Sequence, residues 1–184
     1  MLIELDPVDR ITTGAVGEPG TRTFFLQGRK GPQLVTLLVE KQQVQLLAAS
    51  VVEILSRVGE ETAQEEGTEP SEEMDLEEPL VPEWRAGRLA IGYEEDRDLL
   101  VLEVEELLPE DEEDEEGGEK DAGTEAGEAG KVRFWATRSQ MLALARHGAA
   151  VCALGRPTCQ FCGNPIDAEG HTCPAMNGHR ELGE

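Results

Sequence analysis

The residues best suited to chemistry are four side chains near the end of the 184-residue chain: Cys159, Cys162, His171 and Cys173. Cys159-Gln-Phe-Cys162-Gly has the form of a metal knuckle, with two thiolates three positions apart and Gly163 free to turn the backbone tightly under an ion. His171 and Cys173 follow on a segment that Pro174 restrains, and they offer the other two corners of a tetrahedron. Three thiolates and one imidazole suit Zn2+ and complete its usual four-coordinate shell, so no position remains for a reactive water. The expected cofactor is therefore a structural Zn2+. His179 is the alternative to His171 as fourth ligand, although it stands in a Gly-containing tail close to the terminus, where order is harder to secure.

Other readings of these residues fit less well. A redox Cys-x-x-Cys pair normally opens a helix after a strand, whereas Pro157 and a Gly- and Pro-rich stretch surround this one. Cys152 falls on an apolar helix face and reads as a small buried hydrophobe. His147 falls late in the same helix, where the negative dipole end favours a partly charged imidazole without any function. No catalytic residue is identified. The sequence has no Gly-x-Ser-x-Gly elbow and no His-Glu-x-x-His, and the glycines of Gly14-Ala-Val-Gly17 read as a hairpin turn with no helix start behind them. Arg22, Lys41 and Arg138 are the bases best placed to bind a phosphorylated ligand. Arg22 has Phe24 and Phe25 for neighbours, a combination that suits nucleic acid, but a strand sends one of the two rings into the core.

Elements that could hold these residues follow from periodicity. Arg10–Val16, Thr21–Gly28 and Gln33–Val39 read as strands separated by turn-forming Gly17-Glu-Pro-Gly20 and Arg29-Lys-Gly-Pro32. Val44, Leu47, Ala48, Val51, Leu55 and Val58 recur at helical steps and share a face. Strands return at Trp84–Tyr93, Asp98–Val104 and Lys131–Ala136. Thr137-Arg-Ser-Gln140 then forms a capping box for a second helix that ends near Gly155, ahead of Pro157. Three strands and a helix thus occur twice. The helix entries align at an offset of 97, with Gln43 against Gln140, Leu47 against Leu144 and Lys41 against Arg138.

This succession predicts an α+β fold: two βββα halves forming one antiparallel-sheet domain with two helices over residues 1–155, and a zinc-binding tail over 156–184. Two acidic inserts interrupt the domain, at 60–83 and 105–130, and both are expected to be disordered because they lack apolar periodicity. They also explain the composition. The chain has 39 acids against 16 Lys and Arg, a net charge of −23, yet outside the two acidic runs it is close to neutral. The acidity is therefore local, and no basic field remains to favour nucleic acid. The N-terminus has no basic stretch followed by an apolar core, and no segment approaches 18 apolar residues, so a soluble cytoplasmic protein with no membrane contact is expected.

Leu5-Asp-Pro-Val-Asp-Arg-Ile11, the run from Gly14 to Gln27, Glu40-Lys-Gln-Gln-Val44, Gly155-Arg-Pro, Cys159-x-x-Cys162-Gly and Glu169-Gly-His-x-Cys-Pro174 together resemble a bacterial family catalogued as a domain of unknown function, number 3090. The resemblance spans nearly the whole chain outside the inserts. Members of that family are often encoded beside a histidine-phosphatase-like phosphomutase and a protein similar to phosphatidylinositol kinases, which implies a shared pathway or complex and no activity. The expected function is that of a non-enzymatic zinc-containing binding or accessory protein with protein partners. The alternatives are an enzyme acting on a phosphorylated small molecule between the two halves, and a nucleic-acid-associated module.

Overall fold

The computed structural model describes residues 1–59, 74–108, 129–156, 159–164, 166 and 173–174. Nine elements follow in order: β1 (Leu2–Leu5), β2 (Arg10–Val16), β3 (Thr23–Lys30), β4 (Gln33–Val39), α1 (Lys41–Val58), β5 (Ala86–Glu94), β6 (Leu99–Glu106), β7 (Lys131–Ala136) and α2 (Arg138–Ala153). The fold is α+β, as expected, with two departures. The strands form two sheets, β2-β3-β4 and β1-β7-β6-β5, and β1, absent from the sequence reading, pairs parallel with β7 while the other ladders are antiparallel.

Both helices form for local reasons that repeat. Each has an apolar stripe, Val44, Leu47, Ala48, Val51 and Leu55 in α1 and Met141, Leu144, Ala145, Gly148, Val151 and Cys152 in α2, and each opens on a complete capping box. In α1 the box joins Glu40 to Gln43, and in α2 Thr137 to Gln140, again 97 residues apart. Each of these glutamines also reaches into the opposite half. The Gln43 amide donates to Ala86 O and Gly87 O at the start of β5, and the Gln140 amide to Val8 O and Asp9 O just before β2. The first segments are exchanged too, since β1 lies parallel to β7 while Trp84-Arg85 lies parallel to β4, with Leu38 N donating to Trp84 O at 3.0 Å. Reciprocal contacts of this kind are what an internal twofold repeat requires.

The core lies where the inner faces of the sheets meet the helices: Leu5, Leu26, Leu37, Val51, Leu100, Leu102, Phe134, Met141 and Leu144 are all at most 1 % exposed. Gly28 is required by close approach, because any side chain there would enter the Phe134 ring on the facing sheet. Gly148 likewise lets α2 come within methyl contact of Val44 and Thr13.

The expectation for the first insert is corrected over residues 74–83; residues 60–73 lie outside the described region. Residues 74–83 form a strap across the outer face of β2-β3-β4, where a row of polar side chains, Thr12, Gln27 and Thr36, is at most 2 % exposed. Gln27 reads the strap's backbone in both directions, donating to Glu77 O and accepting from Glu77 N, each at 2.8 Å. Thr12 Oγ1 donates to Met74 O, Arg10 and Arg29 grip the Glu77 carboxylate, and Leu76 fills the space left by Gly14. Hydrogen bonds to side chains repay the ordering that apolar periodicity does not. As expected, the strand sends one ring, that of Phe24, into the core, while Phe25 lies on the outer face and is buried there. In the second insert, Glu105 and Glu106 belong to β6, and 109–128 lie outside the described residues.

Candidate metal centre

Beyond α2 the described chain is a tight turn around sulfur. Cys159 N donates to Asn164 O and Gly163 N to Cys159 O, both at 2.8 Å, and Gly163 has φ +73°, the left-handed conformation that glycine adopts without strain. The turn points two thiols the same way, and Cys173 returns from further along the chain to complete the group. The three sulfur atoms lie within 4.8 Å of one another, with Cys159 Sγ and Cys173 Sγ 3.8 Å apart. Cys159 and Cys173 are each 7 % exposed, and none of the cysteines forms a disulfide.

The electrostatics favour a ligated thiolate. Backbone N–H groups of Cys162 and Phe161 bring the Cys159 thiol down to about 7, the Phe161 N–H lying 3.5 Å from the sulfur. At Cys162 the Asn164 backbone N–H pulls the same way, but burial and the adjoining sulfurs of Cys173 and Cys159 outweigh it and raise that thiol. The Cys159 thiol is therefore brought within reach of ionisation near neutral pH, beside a neighbour that resists a second negative charge. A divalent cation removes that repulsion and draws off the remaining protons. Three soft donors at this separation fit a metal ion with one further corner to fill. His171 and His179, the two candidates for that corner, lie outside the described residues.

The other predicted site residues divide. Arg22 and Lys41 come together at the C-terminal end of α2: Arg22 Nη1 donates to Val151 O at 3.1 Å, and a methyl group on Gly155 would lie 3.1 Å from Lys41 Nζ and 3.2 Å from Arg22 Nη2. Arg138 stands at the other end of α2, 2.5 Å from the Asp98 carboxylate and 2.7 Å from Tyr93 OH. Cys152 is buried as expected, and burial raises its thiol further from ionisation. The helix-dipole reading of His147 is corrected. The ring is 6 % exposed, burial lowers its basicity, and its Nδ1 has no hydrogen-bond partner among the described residues. Desolvation outweighs the helix end because the imidazole points into the protein between α2 and β2.

Residues 3–173 match a family described as a protein of unknown function, DUF3090. The chain belongs to this family. The matched span includes all three clustered cysteines and ends on the last of them. No curated protein and no solved structure matches the chain. Among the described residues, no helix is long and apolar enough to cross a membrane.

Proposed function

We propose that Cys159, Cys162, Cys173 and His171 hold one Zn2+ in a closed structural shell, and that the protein is a non-enzymatic binding or accessory protein of the cytoplasm. The observation that carries the metal reading is the convergence of three thiols within 4.8 Å around a backbone turn that stabilises the Cys159 thiolate. His171 is preferred to His179 because the family match includes the former and stops short of the latter. With every corner supplied by the protein, the ion fixes the tail and activates no water.

Elemental analysis of the purified full-length chain tests this reading. One zinc per chain is expected, retained in His179→Ala and reduced in His171→Ala. A metal-free native protein, or full occupancy in His171→Ala, would overturn the assignment. Partners are expected to be proteins, with the phosphatase-like and kinase-like products encoded beside family members as first candidates. Capture of either by the zinc-loaded chain, and its loss on chelation, is the matching experiment. Turnover of a phosphorylated metabolite by the protein alone would replace the accessory role with an enzymatic one.

A further inference from the structure

We infer that the corner formed by Arg22, Lys41 and Gly155 is a binding site for a phosphate group. The internal repeat places a corner of this kind in each half. In the second half, Arg138 is the first residue of α2 and Asp98 immediately precedes β6; they meet at the C-terminal end of α1, where Arg138 Nη1 lies 3.4 Å from Val58 O beside Gly59. In the first half, Lys41 is the first residue of α1 and Arg22 immediately precedes β3. These two meet at the C-terminal end of α2, where Arg22 Nη1 lies 3.1 Å from Val151 O beside Gly155. The roles within the pair are exchanged: Arg138, the counterpart of Lys41, lies 5.2 Å from the Tyr93 ring centroid, whereas Arg22, the counterpart of Asp98, lies 5.3 Å from that of Phe24.

The two corners differ in the sign of one charge and in which residue reaches the helix-end carbonyl, Arg138 for Val58 O and Arg22 for Val151 O. The second corner is a closed ion pair, whereas the first has a guanidinium where its counterpart has the Asp98 carboxylate. Both cationic heads face the small volume beside Gly155, and neither has a carboxylate partner among the described residues. Eight other described Lys and Arg side chains do have one, in a chain rich enough in acids to supply more. The α2 carbonyl end offsets part of the positive charge through the Val151 O bond. That bond uses one N–H of Arg22 and leaves Nη2 and the Lys41 ammonium beside Gly155, where a Cβ would lie 3.2 and 3.1 Å from them and 3.3 Å from Cys152 O. A single carboxylate satisfies Arg138 at the equivalent corner. Two cations converging on one point call for a dianionic tetrahedral group, with the guanidinium offering paired N–H donors and the ammonium a point charge. A third guanidinium, Arg156, packs against Gly20 of the same loop.

This inference is independent of the metal reading. Thermal unfolding of the zinc-loaded full chain, in inorganic phosphate, in glycerol phosphate and in chloride at matched ionic strength, tests it. Phosphate is expected to raise the melting temperature saturably beyond chloride. Arg22→Asp, which reproduces the Asp98 arrangement, is expected to match or exceed the wild-type melting temperature without phosphate and to respond to phosphate no more than to chloride. Lys41→Ala, at an exposed helix start, is expected to weaken phosphate binding about tenfold or more and keeps the test decisive if the charge reversal misfolds. Tighter binding of glycerol phosphate than of inorganic phosphate identifies a phosphate monoester as the ligand; the reverse order identifies the free ion. A wild-type response equal to that in chloride, or one retained in both variants, overturns the inference.

Discussion

The two sheets arise from the same succession of elements and are covered differently. Sheet β2-β3-β4 is buried on both sides: its inner face meets Phe134 and the core, and its outer face carries the Thr12–Gln27–Thr36 row under the strap. Sheet β1-β7-β6-β5 is buried on one side only. Along β6, Leu100, Leu102 and Val104 point inward, while Glu103 on the other face bridges Lys131 and Arg133 at 2.9 and 2.7 Å in contact with water. The lesson concerns polar rows on sheets. Charged residues are tolerated where solvent reaches them, and neutral polar residues can be buried only where a segment presents backbone groups to pair with.

The largest expected effect attacks what the sheets share. Phe134→Ala should cost about 3–5 kcal/mol in urea unfolding, in a single transition, because the ring packs onto Gly28 of the other sheet. Two separate transitions would mean that the sheets are independent. Next comes the buried polar row: Gln27→Leu strands Glu77 N, Glu77 O and Thr36 Oγ1, should cost about 1–3 kcal/mol, and should open residues 74–83 to limited proteolysis. Glu103→Gln on the solvated row should cost no more than about 1 kcal/mol, and equal costs would erase the distinction between the two faces.

Gln43→Ala and Gln140→Ala probe the repeat itself. Each removes a capping box and a bridge to the other half, and each should cost about 1–2 kcal/mol by the same measurement. A marked inequality would show that the exchange is one-sided. The smallest effect is electrostatic. Donation from Lys131, then from Arg133, holds the Glu103 carboxyl below its ordinary 4.5. Its contribution to stability is therefore present above that value and is lost as pH falls through the lowered folded value. Urea unfolding from pH 6 downward should show a shallower acid loss in Glu103→Gln than in wild type.

The elements with strong local signals were legible in advance. Strands β2, β4 and β7 match their expected bounds, both helices lie where apolar spacing puts them, and the Thr137–Gln140 box forms as read. The capping role of Glu40 with Gln43 has no strong local signal because glutamate is an uncommon cap, although the alignment with Gln140 points to that position. Strand β1 is four residues with a single buried side chain, and its ladder lies about 130 residues further on, so no local pattern announces it.

By itself the sequence determined the α+β class, the repeat of three strands and a helix, and the metal-ligand spacing of Cys159, Cys162 and Cys173. Each of these is written in short-range periodicity or in the spacing of like residues. Only the tertiary structure decided that Leu2–Leu5 pairs with β7, that Met74–Glu83 lies ordered on Gln27 and Arg10, that His147 is driven toward neutrality, and that Arg22 faces Lys41 while Arg138 faces Asp98. Those outcomes depend on which distant residues share a surface, where desolvation and pairing change the energy of a charge more than its neighbours in sequence do.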